Sequence, residues 1–165
     1  MAAPVTGRAY VAVVGPGEAV SEATEIAEQL GGELARRGAI VVCGGLGGAM
    51  EAACRGAKSA GGLTVGILPG LDRSAANEHV DVAIPTGLGE LRNGLIVRSA
   101  DVVVAVQGEF GTLSEISFAL KTGVPVVGID TWELVKEGRA SDAIVRVATA
   151  AEAAEAALAL GLGRR

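Results

Sequence analysis

The chain repeatedly writes a short, unbroken run of Val, Ile, Ala and Leu, stops it with glycine, and continues into a longer stretch of helical spacing. The runs are "RAYVAVVG", "AIVVCGG", "LTVGILPG", "DVVVAVQG" and "VPVVGI", with a weaker extended piece, "VDVAIPT", among them. None alternates apolar with polar residues, so they suit strands covered on both faces, the condition of a parallel sheet. Between them, Ile26, Ala27, Leu30, Leu34 and Ala35 fall at helical spacing and predict a helix over 19–37, with Gly38 as its C-cap. "GAMEAACRGAKSAG", "LGELRNGLIVRSA" and "GTLSEISFALKTG" predict further helices, and the Ala-rich stretch 141–160 a last one. Strand alternating with helix predicts an α/β fold: a single-domain, Rossmann-like, doubly wound and mainly parallel sheet with helices on both faces. Such sheets bind ligands beyond the carboxyl ends of their strands, where the strand order reverses.

At 165 residues one domain over 1–165 is expected, with 1–6 and 161–165 as flexible ends. At that size folding buries roughly 70% of the surface of the unfolded chain, so neither a disulfide nor a metal is needed for stability. The two cysteines, Cys43 and Cys54, are too few for a disulfide framework or a zinc site and are expected as buried, inert thiols of a reducing cytoplasm. One Trp, one Tyr and two Phe leave no stacking platform for single-stranded nucleic acid, and a net charge of −5 is the wrong sign for a duplex-binding surface. No apolar run approaches the roughly 18 residues of a transmembrane helix, and no signal-type segment opens the chain. A cytoplasmic protein without nucleic-acid or membrane partners is expected.

Three glycine-rich segments fall at strand ends: "VVGPGEAV", "CGGLGGAM" and "QGEFGT". A glycine turn between strand and helix brings backbone N–H groups and the positive end of the helix dipole together, which suits an anion. Gly15, the set Gly44, Gly45, Gly47 and Gly48, and the set Gly108, Gly111 and Thr112 are therefore candidate phosphate contacts. The first segment lacks G-x-G-x-x-G and no Walker lysine occurs, which leaves a monophosphate or a compact phosphorylated group rather than a dinucleotide or a triphosphate on Mg²⁺. Glu109 sets a carboxylate inside the last turn, opposing an anion there. Thr112 and Glu115 match a capping box, which predicts a structural role for Glu115. Arg92 lies near a helix start, where a cation opposes the dipole, so stability does not account for it and a ligand would. Asn93 follows it. The single histidine, His79, has no triad partners, and no metal-ligand cluster is present. If there is catalysis here, a carboxylate and an arginine carry it.

Taken together, "CGGLGGAMEAACRGA", "LPG" and "TGLGELRNGLIVRSADVVVAVQGEFGTLSEISFALKTGVPVVGI" resemble the superfamily of the LOG (Lonely Guy) phosphoribohydrolases and the molybdenum cofactor carrier proteins, formerly labelled possible lysine decarboxylases. The resemblance spans residues 9–130, and the "RN…VRSAD" wording is most similar to the carrier-like branch. In LOG enzymes it implies a P-G-G-x-G-T-x-x-E loop on the 5′-phosphate, whose Glu acts with an Arg of an earlier helix on the N-glycosidic bond. Gly108, Gly111, Thr112 and Glu115 match that loop, Gln107 and Glu109 stand where Pro and the second Gly belong, and Arg92 takes the place of the arginine without its M-H-x-R-K setting. Two functions follow from the resemblance. One is a nucleoside 5′-monophosphate phosphoribohydrolase with Arg92 and Glu115 as catalytic residues and no cofactor. The other is a non-catalytic carrier whose cargo is molybdenum cofactor or a related phosphorylated ligand. The resemblance also implies a homodimer or higher homo-oligomer.

Overall fold

A computed structural model describes residues 7–162. Seven strands form one sheet: β1 (Tyr10–Val14), β2 (Ile40–Cys43), β3 (Leu63–Leu68), β4 (Val82–Pro85), β5 (Val102–Val106), β6 (Val126–Ile129) and β9 (Ile144–Arg146). Their order is β4-β3-β2-β1-β5-β6-β9, with every neighbouring pair parallel. A small antiparallel ribbon, β7 (Val135–Lys136) with β8 (Arg139–Ala140), interrupts the connection from β6 to β9.

The unbroken apolar runs are explained by what covers them. Along β1, Val11 and Val13 face one layer of helices, while Ala12 and Val14 face the other. The first layer is α1 (Ser21–Arg36), α2 (Ala49–Ser59) and α5 (Ala150–Leu162); the second is α3 (Asn93–Arg98) and α4 (Phe110–Thr122). In the first layer small residues let backbones touch. A Cβ on Gly31 would lie 2.0 Å from the Ala53 carbonyl oxygen, and one on Gly56 would lie 1.9 Å from that of Glu28, so α1 and α2 cross in direct contact. No described helix is long and apolar enough to cross a membrane.

Three local expectations are corrected. The predicted helix over 141–160 begins only at Ala150, because Ile144–Arg146 pairs with β6 and extends the sheet. Residues 161 and 162 are the last of α5, where Gly161 is buried with its Cα side against Asp101 and Ala9; the expectation of flexible ends at 1–6 and 163–165 lies outside the described residues. Arg92 closes a 3₁₀ turn, Gly89–Arg92, that leads into α3, rather than lying in the helix itself.

Candidate functional site

From β1 the chain builds outward through β2, β3 and β4, then returns to place β5 on the other side of β1. The loops after β1 and β5 therefore diverge from a switch point. Gly15 sits where they part, and no larger residue fits. A Cβ there would lie 2.8 Å from the Val106 carbonyl oxygen and 2.9 Å from the Ala49 side chain. After β5, Gln107 (φ 48°) and Gly108 (φ 101°) turn the chain through the left-handed region into α4. That helix starts at Phe110 with no side-chain cap, and its first internal bond is from Leu113 N–H to the Glu109 carbonyl at 3.0 Å. The N–H groups of the preceding residues are left without an intrahelical acceptor at the bottom of the loop.

Two clefts meet over this turn, with Gly15, Gly111 and Thr112 bordering both. The larger, about 720 Å³, is walled by Gly17, Glu18, Gln107, Gly108, Glu109 and Asp130. The smaller, about 330 Å³, is walled by Gly44, Met50, Glu90, Arg92, Asn93 and Glu115.

The smaller cleft holds an unusual charge arrangement. Arg92 is buried, its Nε donating to the Ile67 carbonyl at 2.9 Å and its Nη1 to Asn93 Oδ1. Asn93 is tied in turn to Ser114 of α4, its Nδ2 donating to Oγ at 3.3 Å. Both acceptors of the guanidinium are neutral, and no carboxylate forms a direct ion pair with it among the described residues. Burial pulls its pKa below the ordinary arginine value, with the negative charge of Glu115 opposing that shift. Glu115 is itself buried at 7% exposure, and burial pushes its carboxyl pKa up to about 8 against the pull of Arg92. The cleft thus sets a fixed cation near a carboxyl group whose burial favours the protonated form, which can donate a hydrogen bond.

The capping-box role expected of Glu115 is not found. Because α4 begins at Phe110, Glu115 lies in its second turn, beyond reach of the helix start, and points into the cleft wall. Of the other expected ligand residues, Gly15, Gly44, Asn93, Gly108, Glu109, Gly111 and Thr112 all border one cleft or both. Gly45, Gly47 and Gly48 line neither, because their turn is engaged in packing: Ala49 N–H donates to the Pro16 carbonyl at 2.9 Å, and a Cβ on Gly48 would meet that oxygen at 2.3 Å. The cysteines are buried and free as expected, but they are not isolated: their Sγ atoms are 3.4 Å apart.

Sequence reasoning missed Glu18 and Asp130, which with Glu109 give the larger cleft an acidic wall. It also missed the aromatic pair beside that wall. Phe110 and Trp132 lie with ring centroids 5.6 Å apart, and Trp132 Nε1 donates to the Glu109 carbonyl at 3.3 Å. Asp130 directly follows a buried strand, which was the one available signal for it.

Against known proteins, the model of the SLOG cluster4 family matches residues 8–158. The molybdenum cofactor binding protein of Rippkaea orientalis superposes with a TM-score of 0.85 at 34% identity, covering 94% of this chain and 98% of that one. The molybdenum cofactor carrier protein of Chlamydomonas reinhardtii superposes at 0.79 with 32% identity, covering 93% and 98%. A cytokinin riboside 5′-monophosphate phosphoribohydrolase of Mycobacterium tuberculosis is 31% identical over 121 residues, 68% of this chain and 65% of the enzyme.

Proposed function

The chain belongs to the SLOG cluster4 family, within the superfamily of the LOG phosphoribohydrolases and the molybdenum cofactor carrier proteins, and on that premise we propose that it binds a phosphorylated heterocycle, a nucleotide or a pterin, at the switch point of its sheet. The observation that carries this reading is Arg92. A buried cation held only by neutral oxygens costs several kcal/mol unless something anionic completes it, and the uncapped start of α4 lies across the same cleft. A phosphate between the two satisfies both. The heterocycle extends into the larger cleft, whose carboxylates accept from amino and ring N–H groups.

Two specific readings divide this proposal. In the carrier reading the cargo is molybdenum cofactor or a related phosphorylated pterin, and nothing is turned over; similarity across nearly the whole length of two proteins of that kind supports it. In the hydrolase reading Arg92 orients the sugar phosphate of a nucleoside 5′-monophosphate while Glu115 stabilises charge at the anomeric carbon or positions water. The sharing of one cleft by Arg92 and Glu115 favours it, whereas a protonated Glu115 favours binding over charge stabilisation.

The test is incubation with a panel of nucleoside 5′-monophosphates and a phosphorylated pterin, with free base measured by chromatography and ligand binding by thermal shift. Stabilisation without base release supports the carrier. Base release that falls about 10²-fold or more in Glu115→Gln supports the hydrolase. Neither stabilisation nor release with any ligand sinks the proposal. The protein is further proposed to be a cytoplasmic homodimer or higher homo-oligomer; light scattering at micromolar concentration that returns only the 16.4 kDa monomer contradicts the assembly.

A further inference from the structure

Cys43 ends β2, and Cys54 lies on α2, which packs back over that strand. Both side chains are fully buried, with Sγ atoms 3.4 Å apart. We propose that this pair is an oxidation site at which a hydroperoxide closes an intramolecular disulfide beneath the wall of the smaller cleft. Closure needs the sulfurs to approach by about 1.4 Å, from 3.4 Å to the bond length of roughly 2.05 Å.

The two thiols are chemically unequal, which is what a disulfide-forming pair requires. The two thiols share an S–H···S contact in which either sulfur can donate, and the Gly45 N–H donates to Cys43 Sγ alone, at 3.3 Å. The contact with Cys54 and the Gly45 N–H, with the positive charge of Arg92 nearby, draw the Cys43 thiol below its ordinary pKa, while Cys54 is driven up by its contact with Cys43 and by burial. Cys43 is thus the attacking thiolate and Cys54 the resolving thiol. Cys43 itself is buried, and the next residue, Gly44, lines the smaller cleft, which is the route this proposal requires for a small peroxide.

The chemistry balances with hydrogen peroxide as the oxidant. The Cys43 thiolate attacks one peroxide oxygen, the O–O bond breaks, and hydroxide leaves and takes up the proton that Cys43 gave, forming water. The sulfur is left as S–OH. Cys54 then attacks that sulfur, the S–O bond breaks, and a second water departs with the Cys54 proton. The two sulfurs together give up two electrons and the peroxide receives them. In a reducing compartment such a bond is transient and serves redox sensing rather than stability.

The intact chain suits the test, since these are its only cysteines. The protein is treated with hydrogen peroxide, then denatured in an alkylating agent, and its intact mass is read. The expected product has lost two hydrogen atoms and accepts no alkyl group in most molecules, and dithiothreitol restores two alkylation sites. Full alkylation after peroxide overturns the proposal, as does gain of oxygen without loss of hydrogen, or a covalent dimer. As a second reading, Cys54→Ser removes the resolving thiol, so a sulfenic acid on Cys43 becomes trappable by dimedone. If Cys43→Ser leaves Cys54 equally trappable, the assignment of attacker and resolver is wrong. Should either variant fail to fold, the wild-type mass measurement still decides.

Discussion

The starts of α4 and α5 carry the same wording, Thr112-Leu113-Ser114-Glu115 in one and Thr149-Ala150-Ala151-Glu152 in the other, and put it to opposite uses. In α5 the pattern is a closed capping box. Thr149 Oγ1 accepts from the Glu152 N–H at 3.2 Å, and Glu152 Oε2 accepts from the N–H groups of Thr149 and Ala148 at 3.2 and 2.9 Å. In α4 the helix already runs when it reaches Thr112, so the threonine and the glutamate are both buried inside it and the true start has no side-chain cap. A boxed helix start has fewer donors left for a ligand. An open one, beside an arginine without a carboxylate, has donors and charge to offer. What separates the two is where the chain enters the helix, which the left-handed turn at Gln107 and Gly108 decides.

The largest effect expected from that difference is in stability against pH. The Glu115 carboxyl has its pKa raised from 4.5 to about 8 by burial. The unfolded chain ionises it above 4.5 while the folded protein resists, so the stabilising contribution is complete below pH 4.5 and is lost as pH climbs to about 8. At roughly 1.4 kcal/mol per pH unit the loss reaches an upper limit near 5 kcal/mol. Denaturant midpoints followed from pH 4.5 to 8.5 should therefore fall in the wild type and stay much flatter in Glu115→Gln. Parallel curves for the two proteins would mean that Glu115 ionises freely, and the contrast with the capping glutamate of α5 would lose its physical basis.

A smaller effect tests the other helix. Thr149→Ala removes the hydroxyl that receives the Glu152 N–H, and should lower stability by about 1 kcal/mol with ligand binding unchanged. Urea unfolding together with a thermal-shift titration measures both. A loss of ligand affinity in this variant would show that the start of α5, on the opposite layer, is coupled to the site.

The doubly wound sheet was legible because strands buried on both faces must be written as unbroken apolar runs, and β1, β2, β5 and β6 are. The seventh strand was not. Only Ile144 of its three residues is buried, so an edge strand beside an alanine-rich helix leaves almost no apolar signature. Within the site, Arg92 stood out as a cation that stability did not require, and the structure places it in the cleft with Glu115. Glu18 carried no signal and Asp130 only its place after a buried strand, because topology alone brings the ends of β1 and β6 to one cleft. The thiol pair escaped for a similar reason: nothing in the spacing of Cys43 and Cys54 says that α2 folds back over β2.

The smallest expected effect belongs to Glu109, the residue from which the chain enters α4. Its backbone is extended (φ −102°, ψ −158°), so glycine is not needed there for geometry, unlike Gly108. Its side chain is exposed at the rim of the larger cleft, and its carbonyl accepts from Leu113 and Trp132, contacts that survive any substitution. Two opposing consequences follow for the carboxylate. It favours the helix through the dipole, and it repels a phosphate arriving at the same N–H groups, weakly because water screens it. Glu109→Gly should therefore be slightly less stable yet bind adenosine 5′-monophosphate several-fold more tightly, and the gain should shrink as salt is raised. Calorimetry across a salt series reads the affinity. Equal or weaker binding by the glycine variant would remove charge repulsion from the account of this loop, leaving Glu109 as a solvent-facing residue at an open helix start.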